Sequence, residues 1–334
     1  MSASPFGNSG EKSNIFIRCQ WVGIDGAPYF TWKSANLPNW FDSRSAVSNE
    51  CERLSLTQNS YVSELFHYTS LEGFMGIVRG RSMWLTDYGF LNDSRELVHG
   101  IELSQELISS QKNLHVSPQA KELLESWASR LNQPFNKVYV ASFTSEDDSL
   151  SQWRAYGPIA ISFKAASLGL FVNQSTLRPI IYDESVQRKI IEVFINHNVE
   201  AFRRDSEAQA LTRIPDVYRD IDALIQHLAF FKNHAFSSEK EYRLAFIDNP
   251  ELFSNLGEQK IKRNFRSARG RIIPYLSSAD VLTGNKSMRP FPLQIEKVIL
   301  GPECDPMLDA GVREFLVEHG LESVEIMRST VPLR

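Results

Sequence analysis

The sequence predicts an α+β fold. Helical patterns and short β-rich runs follow one another without the regular strand–helix–strand repeat of a doubly wound parallel sheet. The last third is mainly β in character, and 42% hydrophobic residues in 334 supply a sizeable core.

Residues 1–60 read as an N-terminal extension, partly disordered at its polar, Gly/Ser-rich start. An aromatic stretch follows (Phe16, Trp21, Tyr29, Phe30, Trp32, Trp40, Phe41), broken by Gly and Pro into short strands and turns. The main domain is expected over 61–334. Its clearest local signal is a helix from about Ser70 to Arg79: Thr69 and Glu72 stand at capping-box spacing, Leu71, Phe74, Ile77 and Val78 recur at helical period, and Gly80 supplies a C-terminal stop. His67 and Tyr68 therefore lie just before a helix start. Ser82–Thr86 reads as a strand, and Asp93 with Glu96 caps a second helix carrying Leu97, Val98, Ile101, Leu107 and Ile108. A third helix opens after Ser117–Pro118 with Leu123, Leu124, Trp127 and Leu131 turned inward.

Lys137–Phe143 and Ile159–Phe163 read as strands joined through a helical turn at Ser149–Tyr156. Long helical patterns occupy about 184–204 and 215–233. Strands are expected near Glu241–Ile247, Arg271–Tyr275 and Ile295–Leu300, then a helix after Asp305–Pro306 and a last strand at Val324–Met327.

Charge and cysteine content narrow the function classes. With 36 Lys+Arg against 40 Asp+Glu, the net charge of −4 gives no global field for nucleic acid or anionic lipid, so any such contact must be local. Cys19, Cys51 and Cys304 are few, odd in number and widely spaced, which fits reduced thiols and neither a disulfide framework nor a zinc site. Neither a signal-peptide h-region nor a membrane-length apolar run is present, so a cytoplasmic protein without a membrane partner is expected. The Rossmann, P-loop, zinc-protease and serine-hydrolase signatures are missing, and no metal site is expected.

Three segments carry candidate chemistry. In Phe66–Ser70, a neutral His67 can hydrogen-bond a ribose hydroxyl, Thr69 can cap, and the following helix N-terminus can face a phosphate; a lone His is more often a satisfied structural residue. In Ser149–Gly157, Trp153 and Tyr156 share one side of a helical turn beside Ser151 and Arg154. They can stack nicotinamide or adenine, or form a core Trp with a tethered Tyr. In Glu239–Arg243, Glu239, Glu241 and Arg243 lie on one face of a strand that begins here. Two such carboxylates repel unless they share a cation or substrate hydroxyls, an arrangement that raises a pKa or meets a developing positive charge. The plain alternative is an edge-strand charge ladder. Beyond them, Lys260, Lys262, Arg263, Arg266, Arg269 and Arg271 crowd into one segment opposed only by Glu258, as a polyanion contact or a solvated loop.

The motif order resembles a bacterial domain-of-unknown-function family numbered 2971, over roughly Leu65 to the C-terminus. The motifs are Phe66–Gly73, Met83–Asp87 with Leu91–Asp93, Ser149–Gly157, Glu239–Arg243 and Val298–Pro302. The same order is distantly similar to ADP-ribosyltransferases. That resemblance implies a split β-sandwich with flanking helices, NAD as ADP-ribose donor, and a role in a bacterial toxin or anti-phage defence. It implies His67 as the ribose ligand, Tyr156 or Trp153 as the stacking group with Tyr88 as a rival, Glu241 as the catalytic carboxylate, and Glu239 orienting the acceptor. Tyr68, Thr69, Asn92, Ser151 and Arg243, from the same motifs, join the cofactor site. A Ser-Thr-Ser pattern on the second strand is missing, with Ser142–Phe143–Thr144 a partial stand-in. The expected acceptor is a macromolecule, RNA or DNA ahead of protein, presented by Lys260–Arg271. The alternatives are a nucleotide-binding sensor without turnover and a NAD glycohydrolase.

Overall fold

The structure, a computed structural model, describes residues 20–24, 27–31, 62–91, 95–112, 117–132, 137–165, 168, 176–204, 221, 223–248, 262–268, 270–282 and 293–332. The chain divides into two compact units, Met1–Asn49 and Glu50–Arg334. Within the first, β1 (Gln20–Ile24) pairs antiparallel with β2 (Ala27–Thr31), placing Trp21 opposite Phe30, so the aromatic stretch does form short strands.

The second unit is mixed α+β, built on a large open mixed sheet. Its strands are β3 (Glu64–Thr69), β4 (Trp84–Asp87), β5 (Lys137–Thr144), β6 (Ile159–Lys164), β7 (Thr176–Pro179), β8 (Glu241–Asp248), β9 (Asn264–Ala268), β10 (Arg271–Ser277), β11 (Ile295–Leu300) and β12 (Glu325–Arg328). The main path runs β12-β11-β6-β3-β5-β4-β10-β9, while β8 pairs with β5 and carries β7 on its far side. Only β11 and β12 run parallel among these pairs.

The sheet forks at β5. One edge of β5 pairs with β8 over its whole length, from Lys137↔Asp248 to Thr144↔Glu241. The other edge is divided: β3 meets it at Phe66↔Thr144, and β4 meets it at Thr86↔Val140 and Asp87↔Tyr139. Between those contacts, Ala141–Phe143 has no ladder partner on that edge, and β3 departs with β6 while β4 departs with β10.

Strand alternation sorts the two faces. Tyr139, Ala141 and Phe143 of β5 and Leu244 and Phe246 of β8 join one apolar cluster with Phe74, Ile77 and Val78 of α1 (Leu71–Gly80). Val312 and Leu316 of a late helix, Pro306–Glu318, complete that layer. The opposite face of β8 presents Glu241 and Arg243 to a second helical layer. There α2 (Arg95–Lys112), α3 (Pro118–Leu131) and α5 (Glu184–Arg204) pack on one another, and residues 223–228 form a further helical stretch ending at Ala229 and Phe230.

Most expected elements fall within a residue or two of their expected limits. Details differ at β4 and at both ends of α1, where the left-handed residue that ends the helix is Arg81 and not Gly80. The cap of α1 is Ser70, whose hydroxyl accepts from Gly73 N–H, because Thr69 is still paired with Ile159 as the last residue of β3. The strand at β4 starts at Trp84 and ends at Asp87. The expected cap of α2, Asp93, falls outside the described residues, as do Asn92, Lys260 and Arg269.

A short helix, α4 (Leu150–Tyr156), connects β5 to β6 and ends at Gly157, whose φ of +133° suits only glycine. A Cβ there would stand 2.6 Å from the Thr69 carbonyl oxygen, so this close approach sets α4 against the end of β3. Gly157→Ala is expected to lower unfolding free energy by about 2 kcal/mol or more, read from urea denaturation. An unchanged denaturation midpoint would show that the backbone relaxes there without cost.

Candidate functional site

Ser142, on the unpaired part of the β5 edge, joins two of the predicted groups. His67 Nδ1 lies 2.8 Å from the Ser142 carbonyl oxygen, so the ring takes the hydrogen bond that a neighbouring strand would otherwise supply. That bond fixes Nδ1 as the protonated nitrogen and leaves Nε2 as an acceptor. Burial lowers the His67 pKa to about 4, outweighing the bond to Ser142, and the charge of Arg266 lowers it further. The imidazole is neutral at ordinary pH. Its ring leans on Phe143 at 5.7 Å.

On the other edge of β5, the Ser142 side chain lies near the Glu241 carboxylate and helps to lower its pKa. Glu241 is also bound by two cations: Oε1 accepts from Arg243 Nε at 2.6 Å, and Oε2 from Arg243 Nη2 at 3.0 Å and Lys232 Nζ at 2.9 Å. Burial alone would raise its pKa, but Arg243 and Lys232 outweigh that and hold it at about 2. Strand alternation starts His67 on the Phe143 face and Glu241 on the Ser142 face. They flank Ser142 from opposite edges of β5, with β3 and β8 two strand spacings or about 10 Å apart.

Glu239 sits differently from the strand position expected. Residues His234–Glu239 form a 3-10 helix, Lys240 turns the chain in the left-handed region at φ 43°, and β8 begins only at Glu241. The two carboxylates still share a cation, since Lys232 Nζ lies 2.7 Å from Glu239 Oε2. Arg243 first and this shared lysine second hold the Glu241 pKa low, where the sequence suggested that like-charge repulsion would raise one. Lys232 was not read from the sequence as part of this cluster. Its position is fixed because Ile181 and Lys232 backbone carbonyls both accept from the buried Gln187 amide.

Arg243 is buried and reaches in three directions. Its Nη1 donates to the Tyr88 hydroxyl at 3.0 Å and to the Ala229 carbonyl at 2.8 Å, and its guanidinium lies 5.5 Å from the Tyr88 ring. Tyr88, buried in a 3-10 turn after β4, is thereby a partner of Arg243 on the protein's own side of the site.

The aromatics of the Ser149–Gly157 segment lie in another cluster. Trp153 packs with Phe66, Tyr68, Ala160 and Ile299, its ring edge-on to Tyr68 at 4.6 Å, and its indole N–H donates to Asp148 at 2.8 Å. This is a core tryptophan with a satisfied polar edge. The Tyr68 hydroxyl donates to the Glu146 carbonyl and accepts from Ser149 N–H, pinning the loop before α4. Thr69 is buried at the end of β3. Ser151 is exposed and bonded to Ser149, and Tyr156 is exposed at the last position of α4. Glu241, Arg243 and Tyr88 thus form one bonded cluster with Glu239 attached through Lys232, while His67 bonds the Ser142 carbonyl from the other edge of β5.

The basic segment is also resolved into parts. Lys262, Arg263 and Arg271 are exposed, whereas Arg266 turns inward from β9. Its Nη2 donates to the Thr86 hydroxyl at 2.9 Å and its guanidinium lies over the Trp84 ring at 5.6 Å. Reading the segment as one solvated patch missed this, because strand alternation separates Arg266 from its neighbours only once the β9–β10 register is known.

A family model described as a protein of unknown function, DUF2971, matches residues 152–244. The match includes the Trp153–Gly157 and Glu239–Arg243 motifs and is shorter than the span from Leu65 expected from the sequence. No curated protein and no solved structure matches the chain. No helix among the described residues is long and apolar enough to cross a membrane, and no cluster of potential metal ligands occurs among them.

Glu241→Gln is expected to destabilise the fold by roughly 3–5 kcal/mol, because it leaves two buried cations short of their counter-charge. The expectation from sequence alone, a cleft carboxylate with little effect on stability, is replaced by this one. Calorimetric or urea unfolding checks it, and a loss under about 1 kcal/mol would mean that water enters the cluster freely. For His67 the folded pKa lies below the unfolded value of 6.5, so the unfolded state takes up the proton first as pH falls. Stability should fall between pH 6.5 and about 4, and His67→Gln should flatten that part of the profile. A mutant profile parallel to wild type across this window would show that His67 protonates without cost in the folded state.

Proposed function

We propose that the fork at Ser142 is a nucleotide site and that this protein is a NAD-dependent ADP-ribosyltransferase with a split β-sandwich fold. The observation that carries the reading is that Ser142 is flanked by a neutral imidazole bonded to its carbonyl and, on the other edge of β5, by an anionic carboxylate near its side chain. A neutral His67 with Nε2 as acceptor suits a ribose hydroxyl. A carboxylate with a pKa of about 2 keeps its negative charge at any working pH and suits a developing cation.

In the proposed reaction the bond between the ribose carbon and the nicotinamide nitrogen breaks, and nicotinamide leaves with the electron pair. Positive charge spreads over the ribose carbon and ring oxygen, opposed by Glu241. A lone pair on the acceptor then forms the new bond at that carbon, and the acceptor's proton passes to solvent. Arg243 and Lys232 hold Glu241 in a single orientation, which favours electrostatic stabilisation over proton transfer. The exposed Lys262, Arg263 and Arg271 would present a polyanionic acceptor, with RNA or DNA ahead of protein.

A second reading is favoured by one observation. Both oxygens of Glu241 are engaged by Arg243 and Lys232, which suits a site that binds a nucleotide without turning it over. Incubation with NAD separates the two. Nicotinamide release is expected, falling by about 10²-fold in Glu241→Gln protein that retains its folded far-UV signature. Release with free ADP-ribose as the sole product makes water the acceptor and the protein a NAD glycohydrolase. Saturable NAD binding without nicotinamide release supports the sensor. Absence of NAD binding removes the cofactor reading.

A further inference from the structure

Among the described residues, no carboxylate lies within ion-pair distance of Arg266. Arg243, a few strands away, is buried against Glu241, the Tyr88 hydroxyl and a backbone carbonyl. Arg266 is half-buried from β9, yet among the described residues it makes one hydrogen bond, from Nη2 to the neutral Thr86 hydroxyl. Its Nε is shut off from solvent and faces no acceptor. Burial lowers the Arg266 pKa, so the surroundings disfavour the charge they contain. A guanidinium nevertheless stays protonated, and a partly desolvated cation without a counter-ion is costly unless an anion arrives.

The setting indicates what that anion is. The guanidinium lies over Trp84, and Trp84 in turn packs on Tyr275 at 4.8 Å, giving a flat aromatic support that fixes the plane of the fork-shaped donor. Thr86, which holds Nη2, pairs with Val140 at the β4 branch of the fork, two residues along β5 from Ser142. The charge of Arg266 is felt by His67 from across that opening. A planar donor whose Nη1 makes no hydrogen bond among the described residues, seated over Trp84 and near enough to His67 for its charge to act on the imidazole, matches a phosphate oxygen pair.

We propose that Arg266 is the phosphate-binding residue of the fork and that it takes the pyrophosphate of a dinucleotide such as NAD. This assignment rests on the nucleotide reading of the fork and adds the residue that distinguishes a nucleotide from a nucleoside there. The basic segment is then divided in role: Arg266 serves the cleft, while Lys262, Arg263 and Arg271 remain on the surface.

The test is calorimetric titration of the full-length protein with adenosine, ADP, NAD and inorganic pyrophosphate. Arg266→Met keeps the apolar contact with Trp84, and Arg266→Lys keeps the charge without the planar fork. Wild type is expected to bind ADP at least tenfold more tightly than adenosine. Arg266→Met should bring ADP to the level of adenosine and weaken NAD by at least tenfold, and Arg266→Lys should restore part of the difference. ADP binding no tighter than adenosine in wild type, or an unchanged ADP-to-adenosine ratio in folded Arg266→Met, overturns the assignment.

The arms also separate this proposal from the reading it rests on. NAD bound equally by wild type and Arg266→Met keeps the nucleotide site and removes Arg266 from it. Arg266-dependent binding of pyrophosphate without any binding of NAD keeps a phosphate site and removes the NAD reading. Arg266-dependent binding of a short single-stranded RNA, with no binding of ADP or pyrophosphate, overturns the proposal in favour of a polynucleotide surface. Binding of none of these probes overturns both.

Discussion

A strand has two edges, and β5 serves three neighbours. Complete pairing with β8 uses one edge, so β3 and β4 must divide the other, and the short run Ala141–Phe143 is left between them. Unpaired backbone in a sheet interior needs another partner. The imidazole of His67 meets that need at the Ser142 carbonyl, which ties a side chain with useful chemistry to the one place where the sheet is open. The close approach of Gly157 to Thr69 holds the end of β3 in place, and the Tyr68–Trp153–Asp148 contacts anchor the connection from β5 to β6. Much of what the sequence suggested as ligand-stacking chemistry in that connection is the packing that keeps the fork open.

The charges beside the fork follow from burial. Arg243, Lys232 and Glu241 are each almost wholly removed from water, so each must find its counter-charge within hydrogen-bond distance. The arrangement links elements far apart in sequence: β8 through Glu241 and Arg243, the turn after β4 through Tyr88, and the segment after the helical stretch 223–228 through Ala229 and Lys232. Buried ion pairs add little net stability compared with apolar replacements, yet losing one partner is costly. The cluster is therefore better understood as a device that fixes geometry. It sets Glu241 in one orientation beside Ser142 and ties the helical layer to the sheet.

Local signals were legible in the sequence, and non-local ones were not. Helical period located α1, period with the Ser117–Pro118 start located α3, and the spacing of Glu241 and Arg243 on one strand face anticipated their side-by-side position. The alternative of a core Trp, open in the sequence, is what the structure shows at Trp153. By contrast, nothing local distinguishes Lys232 from a helix-end lysine, and nothing in Ser142–Phe143–Thr144 reveals that its edge is shared. Glu239 was placed on the strand because period-two spacing continues through it. The left-handed turn at Lys240, an uncommon conformation for a residue with a side chain, breaks that spacing one residue before β8.

Arg243 and Arg266 show how the same residue type takes two roles under one physical rule. A guanidinium keeps its proton in almost any surroundings, so burial cannot neutralise it and some anion or dipole must face it. At Arg243 the chain supplies a carboxylate, a phenol and a carbonyl, and the residue becomes part of the framework. At Arg266 the described residues supply an aromatic face and one neutral hydroxyl, which orient the group without compensating its charge. Orientation without compensation has a use when the missing charge comes from outside: the donor is already aligned and only partly hydrated when the anion arrives, so less ordering accompanies binding. The same reasoning separates Arg266 from Lys262, Arg263 and Arg271. Those cations are exposed, a position suited to drawing in a polyanion at long range, whereas a half-buried and oriented guanidinium is suited to discriminating between ligands at contact.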